Sequence, residues 1–163
     1  MMTTRRAVLL GGAVSVLALM CRASGVFSAE ARKYEVTHTD AEWHALLKPQ
    51  QYAVLRESAT EYPFTSPLLK EHRDGNFACA GCDLDLFSSK TKFDSGTGWP
   101  SFWEPIKGAV DEHSDLTLGM VRTAVNCHRC GGHLGHVFQD GPKPTGLRYC
   151  INGVALTFKP AAA

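Results

Sequence analysis

Two short motifs of the same form restrict this chain more than anything else in it: Cys79-Ala80-Gly81-Cys82 and Cys127-His128-Arg129-Cys130, each a CxxC pair. Two cysteines so spaced in a tight turn present two thiolates to one ion, and four thiolates at roughly 2.3 Å complete a tetrahedral Zn²⁺ shell. Gly81, and then Gly131 and Gly132, let the backbone turn sharply around such a site. The 44 residues between Cys82 and Cys127 exceed a typical ribbon spacing, so an intervening sheet is expected to close the gap. In an oxidising compartment these cysteines have two rival uses, as two disulfides or as a redox dithiol. One ion shared by two matched knuckles explains the pattern better, in a structural role remote from chemistry. His128 lies inside the second knuckle, but four cysteines already complete the shell.

At 163 residues, 44% apolar and 20% charged, the chain has the composition of one globular domain. Its formal net charge of +1 lacks the basic excess with which a nucleic-acid binder neutralises phosphates, so no nucleic-acid partner is expected. Residues 1–31 read as an export signal. MMTTRR, with Arg5 and Arg6, precedes a 14-residue apolar run that is too short to span a bilayer, and Ser28 to Ala31 offer small residues for cleavage. Thr4-Arg5-Arg6-Ala7-Val8-Leu9 has the look of a twin-arginine signal, which places the product in the periplasm of a bacterium. An uncleaved anchor and lipidation at Cys21 are the alternatives, the second weakened by the bulky Met20 before the cysteine. Cleavage after Ala29 removes Arg5, Arg6 and Arg22 and leaves 14 basic against 16 acidic residues, with an odd five cysteines.

The remaining residues, 32–163, change texture twice. Thr39-Asp40-Ala41-Glu42 is a capping box that predicts a short helix to about Leu47, and Pro49 opens a second through Arg56. After the Pro-containing link Tyr62–Pro67, short apolar runs alternate with Gly, Pro, Asn and Asp. The runs at 119–125, 134–138 and 147–151 read as antiparallel strands. The fold class expected is mainly β behind a small helical N-terminal segment.

Cys150 is the cysteine left outside the knuckles in that β-rich part. A lone strand cysteine is commonly core filler. Two histidines, His133 and His136, stand three apart in Gly132-His133-Leu134-Gly135-His136-Val137-Phe138, however, and a thiol nucleophile needs a lowered pKa and a proton donor. Each histidine taken alone would read as a surface residue. The third segment, Asp94 to Trp103, carries Trp99 and Trp103 between glycines and a proline. Phe102 or Trp103 fits a core position, whereas the segment as a whole offers an aromatic recess for a small soft group such as a methyl thioether or its oxide.

GTGWPSF, the two CxxC pairs, HLGHVF and RYCIN, in this order and at these distances, resemble the methionine-R-sulfoxide reductases from about Lys33 to Phe158. The resemblance implies a β fold of two antiparallel sheets stapled by one zinc ion on Cys79, Cys82, Cys127 and Cys130. It implies Cys150 as nucleophile and the R epimer of peptide-bound methionine sulfoxide as substrate, reduced through a cysteine sulfenic acid. It implies His136 as proton donor with His133 orienting the oxygen or sharing the task. Asn152 would help hold the network, and Trp99, Phe138 and Arg148 would line the substrate site.

One position departs from a common family pattern. Many members carry a resolving cysteine where this chain has Thr97. The expected reductant is therefore an external thiol, thioredoxin-like or small-molecule, acting directly on the sulfenic acid of a monomer. Two other classes compete: a zinc-ribbon-like binding module without catalysis, and a cysteine hydrolase built on Cys150 and His136. Neither explains the Trp99 loop as well.

Overall fold

A computed structural model describes residues 33–162, so the export-signal reading of residues 1–31 falls outside the described residues. The capping box forms: the Thr39 hydroxyl accepts from the Glu42 N–H at 3.3 Å while the Glu42 carboxylate accepts from the Thr39 N–H at 2.7 Å. It opens α1 (Asp40–Leu46), and Pro49 sits in the first turn of α2 (Pro49–Glu57), where its missing N–H costs nothing. Neither helix is long enough to be stable alone; each holds by burying one face, Trp43 from α1 and Val54 and Leu55 from α2.

The strands are β1 (Gly75–Cys79), β2 (Asp85–Ser88), β3 (Lys92–Phe93), β4 (Ser101–Phe102), β5 (Val110–Asp115), β6 (Arg122–Cys127), β7 (His133–Phe138), β8 (Arg148–Ile151) and β9 (Leu156–Pro160). They form two antiparallel sheets, β2-β1-β9 and β3-β4-β8-β7-β6-β5. The strand expected at 119–125 is displaced. Thr117–Gly119 make a tight 3₁₀ turn ending on Gly119 at φ +71°, and the strand starts only at Arg122, once the chain has reversed against β5.

Between the sheets the core is aromatic. Phe87 of β2 stacks on Phe102 of β4 at 4.4 Å, and Phe77 of β1 meets Phe102 edge-on at 5.0 Å. All three are fully buried, each worth about 1.5–3 kcal/mol of apolar transfer; of Phe102 and Trp103, it is Phe102 that takes the core position, and Trp103 stays half-buried. Each CxxC begins where a strand ends. Cys79 closes β1 and leads into the β1–β2 turn, while Cys127 closes β6 and leads into the β6–β7 turn. The two knuckles thus belong to different sheets, and an ion shared between them joins the sheets. The α2 helix secures the second knuckle, since Arg56 lies 4.8 Å over the Trp43 ring and donates to the Cys130 carbonyl at 3.1 Å.

Candidate active site and metal centre

The four knuckle sulfurs all lie within 4.8 Å of one another, with Cys79 Sγ 3.8 Å from Cys130 Sγ and Cys82 Sγ 3.5 Å from Cys127 Sγ. A tetrahedron with metal–sulfur bonds of about 2.3 Å requires sulfurs about 3.8 Å apart, so this donor set fits one tetrahedral thiolate-bound ion. Cys79, Cys127 and Cys130 are buried and Cys82 is half-buried, which marks a closed structural site. His128 turns away to Asp111, 2.9 Å from its Nδ1, and takes no part in the cluster.

The second constellation is a row across the larger sheet. His136 of β7 pairs directly with Cys150 of β8, and Cys150 pairs on its other side with Ser101 of β4. Directly opposed residues in an antiparallel sheet point to the same face with Cβ atoms about 5 Å apart, so the ladder itself brings imidazole and thiol together. Gly135 makes the close approach possible: a Cβ there would fall on the Cys150 carbonyl. His133, three residues earlier, would face the other way in a regular strand. The ladder slips beside it, with Val125 opposite Gly135 and Asn126 opposite His133, so Leu134 is an extra residue. This bulge turns both rings to one side, 5.4 Å apart.

The neighbouring groups set the charges. Burial pushes the Cys150 thiol up, ahead of the opposing pull from Thr97, whose hydroxyl lies 3.8 Å from Sγ, and from Arg148. Arg148, two positions back on the same face, is held bidentately by Asp140 at 2.9 and 2.8 Å and sits 4.5 Å over the Phe138 ring. His133 is 5% exposed; burial first, and then the neighbouring His136, pull it down to about 4, so it is neutral at pH 7. The His136 Nε2 lies 2.8 Å from the Asp115 carboxylate, which Arg122 also reaches at 2.6 Å. Hydrogen bonds from Thr117 first, and then from His136, hold Asp115 well below the usual carboxylate range. An ionised carboxylate can only accept, so Nε2 carries a proton and Nδ1 is the ring atom left for exchange with a ligand.

Trp99 and Asn152 meet on a third element. The Trp99 indole N–H donates to the Glu61 carbonyl at 3.0 Å, and the Glu61 N–H donates to Asn152 Oδ1 at 2.8 Å. The other end of the Asn152 amide donates to the Leu134 carbonyl at 3.0 Å, which commits that side chain to holding β7 to the chain at Glu61. The Glu61 carboxylate accepts from the Gly153 and Val154 N–H groups at 2.6 and 3.2 Å. Trp99 also lines a cavity of about 370 Å³ with Phe64, Phe93 and Pro100. Cys150, His136, His133, Phe138 and Arg148 therefore share one face of the sheet, while Trp99 and Asn152 are tied to each other through Glu61.

Sequence reasoning missed Asp115, Asp140 and Glu61. Asp115 had a usable signal, since it pairs with Arg122 across the β5–β6 hairpin and so shares a face with the strand beyond. Asp140 had a similar one, since its partner Arg148 stands 8 residues on across the β7–β8 connection, whereas Glu61 had none, because its partner Asn152 lies 91 residues away.

A family model described as the SelR domain matches residues 47–160. Among curated relatives, a peptide methionine sulfoxide reductase MsrB of Agrobacterium fabrum is 58% identical over 127 residues, covering 77% of this chain and 94% of that protein. Proteins of the same name from Leptospira interrogans and Thiobacillus denitrificans are 54% and 58% identical. They cover 77% and 75% of this chain, and 97% and 93% of their own lengths.

Proposed function

Because this chain belongs to the SelR-domain family of peptide methionine sulfoxide reductases, we propose that Cys150 is its nucleophile and His136 its proton donor. The reaction is reduction of methionine-R-sulfoxide in peptides to methionine, and a binding module without catalysis is not favoured. The observation that carries the residue assignment is the direct pairing of Cys150 with His136 across the β7–β8 ladder.

In this reading the Cys150 thiolate attacks the sulfoxide sulfur while His136 gives a proton to the sulfoxide oxygen. The sulfur–oxygen bond breaks, the oxygen ends on Cys150 as a sulfenic acid, and the thioether leaves as methionine. Thiolate, sulfoxide and one proton become sulfenic acid and thioether, so two electrons pass from the cysteine sulfur to the substrate sulfur. An external thiol then condenses with the sulfenic acid, releasing water, and a second thiol frees Cys150 by exchange. His133, neutral at pH 7, orients the oxygen by hydrogen bonding rather than supplying the proton. Trp99 takes the substrate methyl, and Phe138 with its stacked Arg148 closes the edge of the site. Asn152 positions β7 and the Glu61 segment.

The four knuckle cysteines hold one structural Zn²⁺, which fixes the two sheets to each other; the sulfur spacing supports this. The reductant is a thioredoxin-like protein or a small-molecule thiol, because a hydroxyl stands beside Cys150 at Thr97 where a second thiol would resolve it internally. Residues 1–31 are an export signal of twin-arginine type, and residues 32–163 act in the periplasm as a monomer.

The deciding experiment is turnover of separated R and S epimers of a peptidyl methionine sulfoxide with dithiothreitol or thioredoxin, beside Cys150→Ser. Consumption of the R epimer alone, lost in the variant, supports the assignment; undiminished turnover by Cys150→Ser removes Cys150 from the reaction.

A further inference from the structure

The Thr97 hydroxyl does not stand alone beside the nucleophile. Ser95 Oγ lies 2.8 Å from Thr97 Oγ1 and 2.7 Å from Ser101 Oγ, and Ser101 Oγ donates to the Trp99 carbonyl at 3.1 Å. Three hydroxyls thus run in line from the carbonyl of Trp99 to the sulfur of Cys150. Both ends are fixed, because Ser101 and Cys150 are direct partners in the β4–β8 ladder and Ser101 is 1% exposed.

We propose that Thr97 is a further catalytic residue, a hydrogen-bond donor to the Cys150 sulfur once the thiol ionises, and that the Ser101–Ser95–Thr97 chain switches its direction to let it donate. The proposal rests on the assignment of Cys150 as nucleophile for its role in the reaction.

The reasoning is a count of protons. Each hydroxyl has one hydrogen to give. With Ser101 giving to the Trp99 carbonyl, Ser95 gives to Ser101 and Thr97 to Ser95. Thr97 then has no proton for the sulfur and accepts the Cys150 S–H instead. A thiolate can only accept. Thr97 must then turn to the sulfur, Ser95 to Thr97 and Ser101 to Ser95, and the Trp99 carbonyl loses its donor. Three hydroxyl rotations achieve this with no movement of heavy atoms. Hydrogen bonds to an ionised acceptor are roughly twice as strong as neutral ones, so the gain at sulfur outweighs the bond lost at the Trp99 carbonyl. Among the described residues, the charged and titratable groups on this face are Arg148 on the strand of Cys150, His136 opposite it and His133 beside that on β7, and Asp140 beyond β7, whereas the residue paired from β4 is the hydroxyl Ser101. Thr97 and Arg148 favour the thiolate, against burial and Asp140.

The test is the pH dependence of iodoacetamide alkylation in the full, metal-loaded chain, followed at the Cys150 peptide by mass spectrometry. Thr97→Val keeps the shape and removes the hydroxyl. It should move the alkylation midpoint up by about one pH unit, which is about tenfold slower reaction at pH values below it. Thr97→Ser should restore the wild-type midpoint. Ser95→Ala, which frees the Thr97 hydrogen for the sulfur and leaves Ser101 on the Trp99 carbonyl, should leave the midpoint unchanged or move it down; an upward shift there overturns the switching chain. An unchanged midpoint in Thr97→Val overturns the proposal, and so does a Thr97→Ser midpoint that shifts as far as that of Thr97→Val. Alkylation needs no sulfoxide, so these outcomes are independent of whether the wild-type chain turns over either epimer.

Discussion

One carboxylate oxygen, Asp115 Oδ2, holds both His136, at 2.8 Å from Nε2, and Arg122, at 2.6 Å from Nη2. The His136 and Asp115 side chains are each about one-seventh exposed, at 14% and 13%, so the pair is sheltered enough to fix the ring. A proton donor acts only when its ring is aimed, and Asp115 determines which nitrogen keeps its hydrogen. Asp115→Asn should therefore lower kcat about tenfold with little change in KM, while His136→Ala costs about 10²–10⁴-fold. Steady-state kinetics on the R epimer separate these outcomes; an Asp115→Asn variant with wild-type kcat would remove Asp115 from the proton path.

The same carboxylate gives a stability prediction with a definite sign. Asp115 titrates lower in the folded chain than in the unfolded one. Its contribution is fully present above the ordinary carboxylate pKa of about 4 and is lost as pH falls through the lower folded value. The stability difference between wild type and Asp115→Asn should be constant above about pH 5 and shrink below about pH 4. Urea midpoints measured across that range check it.

Arg148 sits between two effects on Cys150. It lowers the thiol pKa directly and also neutralises Asp140, which raises it. Arg148→Ala removes the first and exposes the second, so both push the same way. The Cys150 alkylation midpoint should rise, and kcat/KM for the R epimer at pH 7 should fall with it. Asp140→Asn should move the midpoint slightly down.

Cys82 is the most exposed of the four knuckle cysteines, so replacing it disturbs packing least. Cys82→Ser should lose the bound ion and, because the knuckles join separate sheets, lower Tm by roughly 10 °C or more. Metal analysis and calorimetry on the same preparation test both halves. A variant that loses metal yet keeps Tm would mean that the ion does not carry the junction of the sheets.

The Thr97 hydroxyl is 3.8 Å from Cys150 Sγ. After one turnover without reductant the wild-type chain should carry a sulfenic acid at Cys150 that a dione probe traps. Thr97→Cys should instead close an internal disulfide, seen by mass as loss of one water from the oxidised form. An internal disulfide at Cys150 in the wild type would show that a knuckle cysteine or Cys21 acts as resolver.

Much of this was legible in the residues. The capping box at Thr39 and Glu42 and the proline at the head of α2 use contacts within four positions, so their helices appear where the sequence places them, within a residue. The strand near 119–125 was displaced because its start depends on where β6 meets β5, which no local propensity records. The two histidines could be named but not oriented, since the bulge that turns His133 to the side of His136 arises only when β7 pairs with β6.

By itself the sequence determined the local chemistry. The paired CxxC turns, the solitary Cys150, the histidines around Gly135 and the hydroxyl at Thr97 are all covalent facts of the chain. Tertiary structure decided the rest, because register and packing bring together residues far apart in sequence. It set Cys150 opposite His136 and Ser101, gave His136 the Asp115 carboxylate, tied Trp99 to Asn152 through Glu61, and pushed the thiol up by burial while Thr97 and Arg148 pull it down. A cross-strand partner or a buried charge has no signature in composition, since its energy depends on what the folded chain has excluded from water.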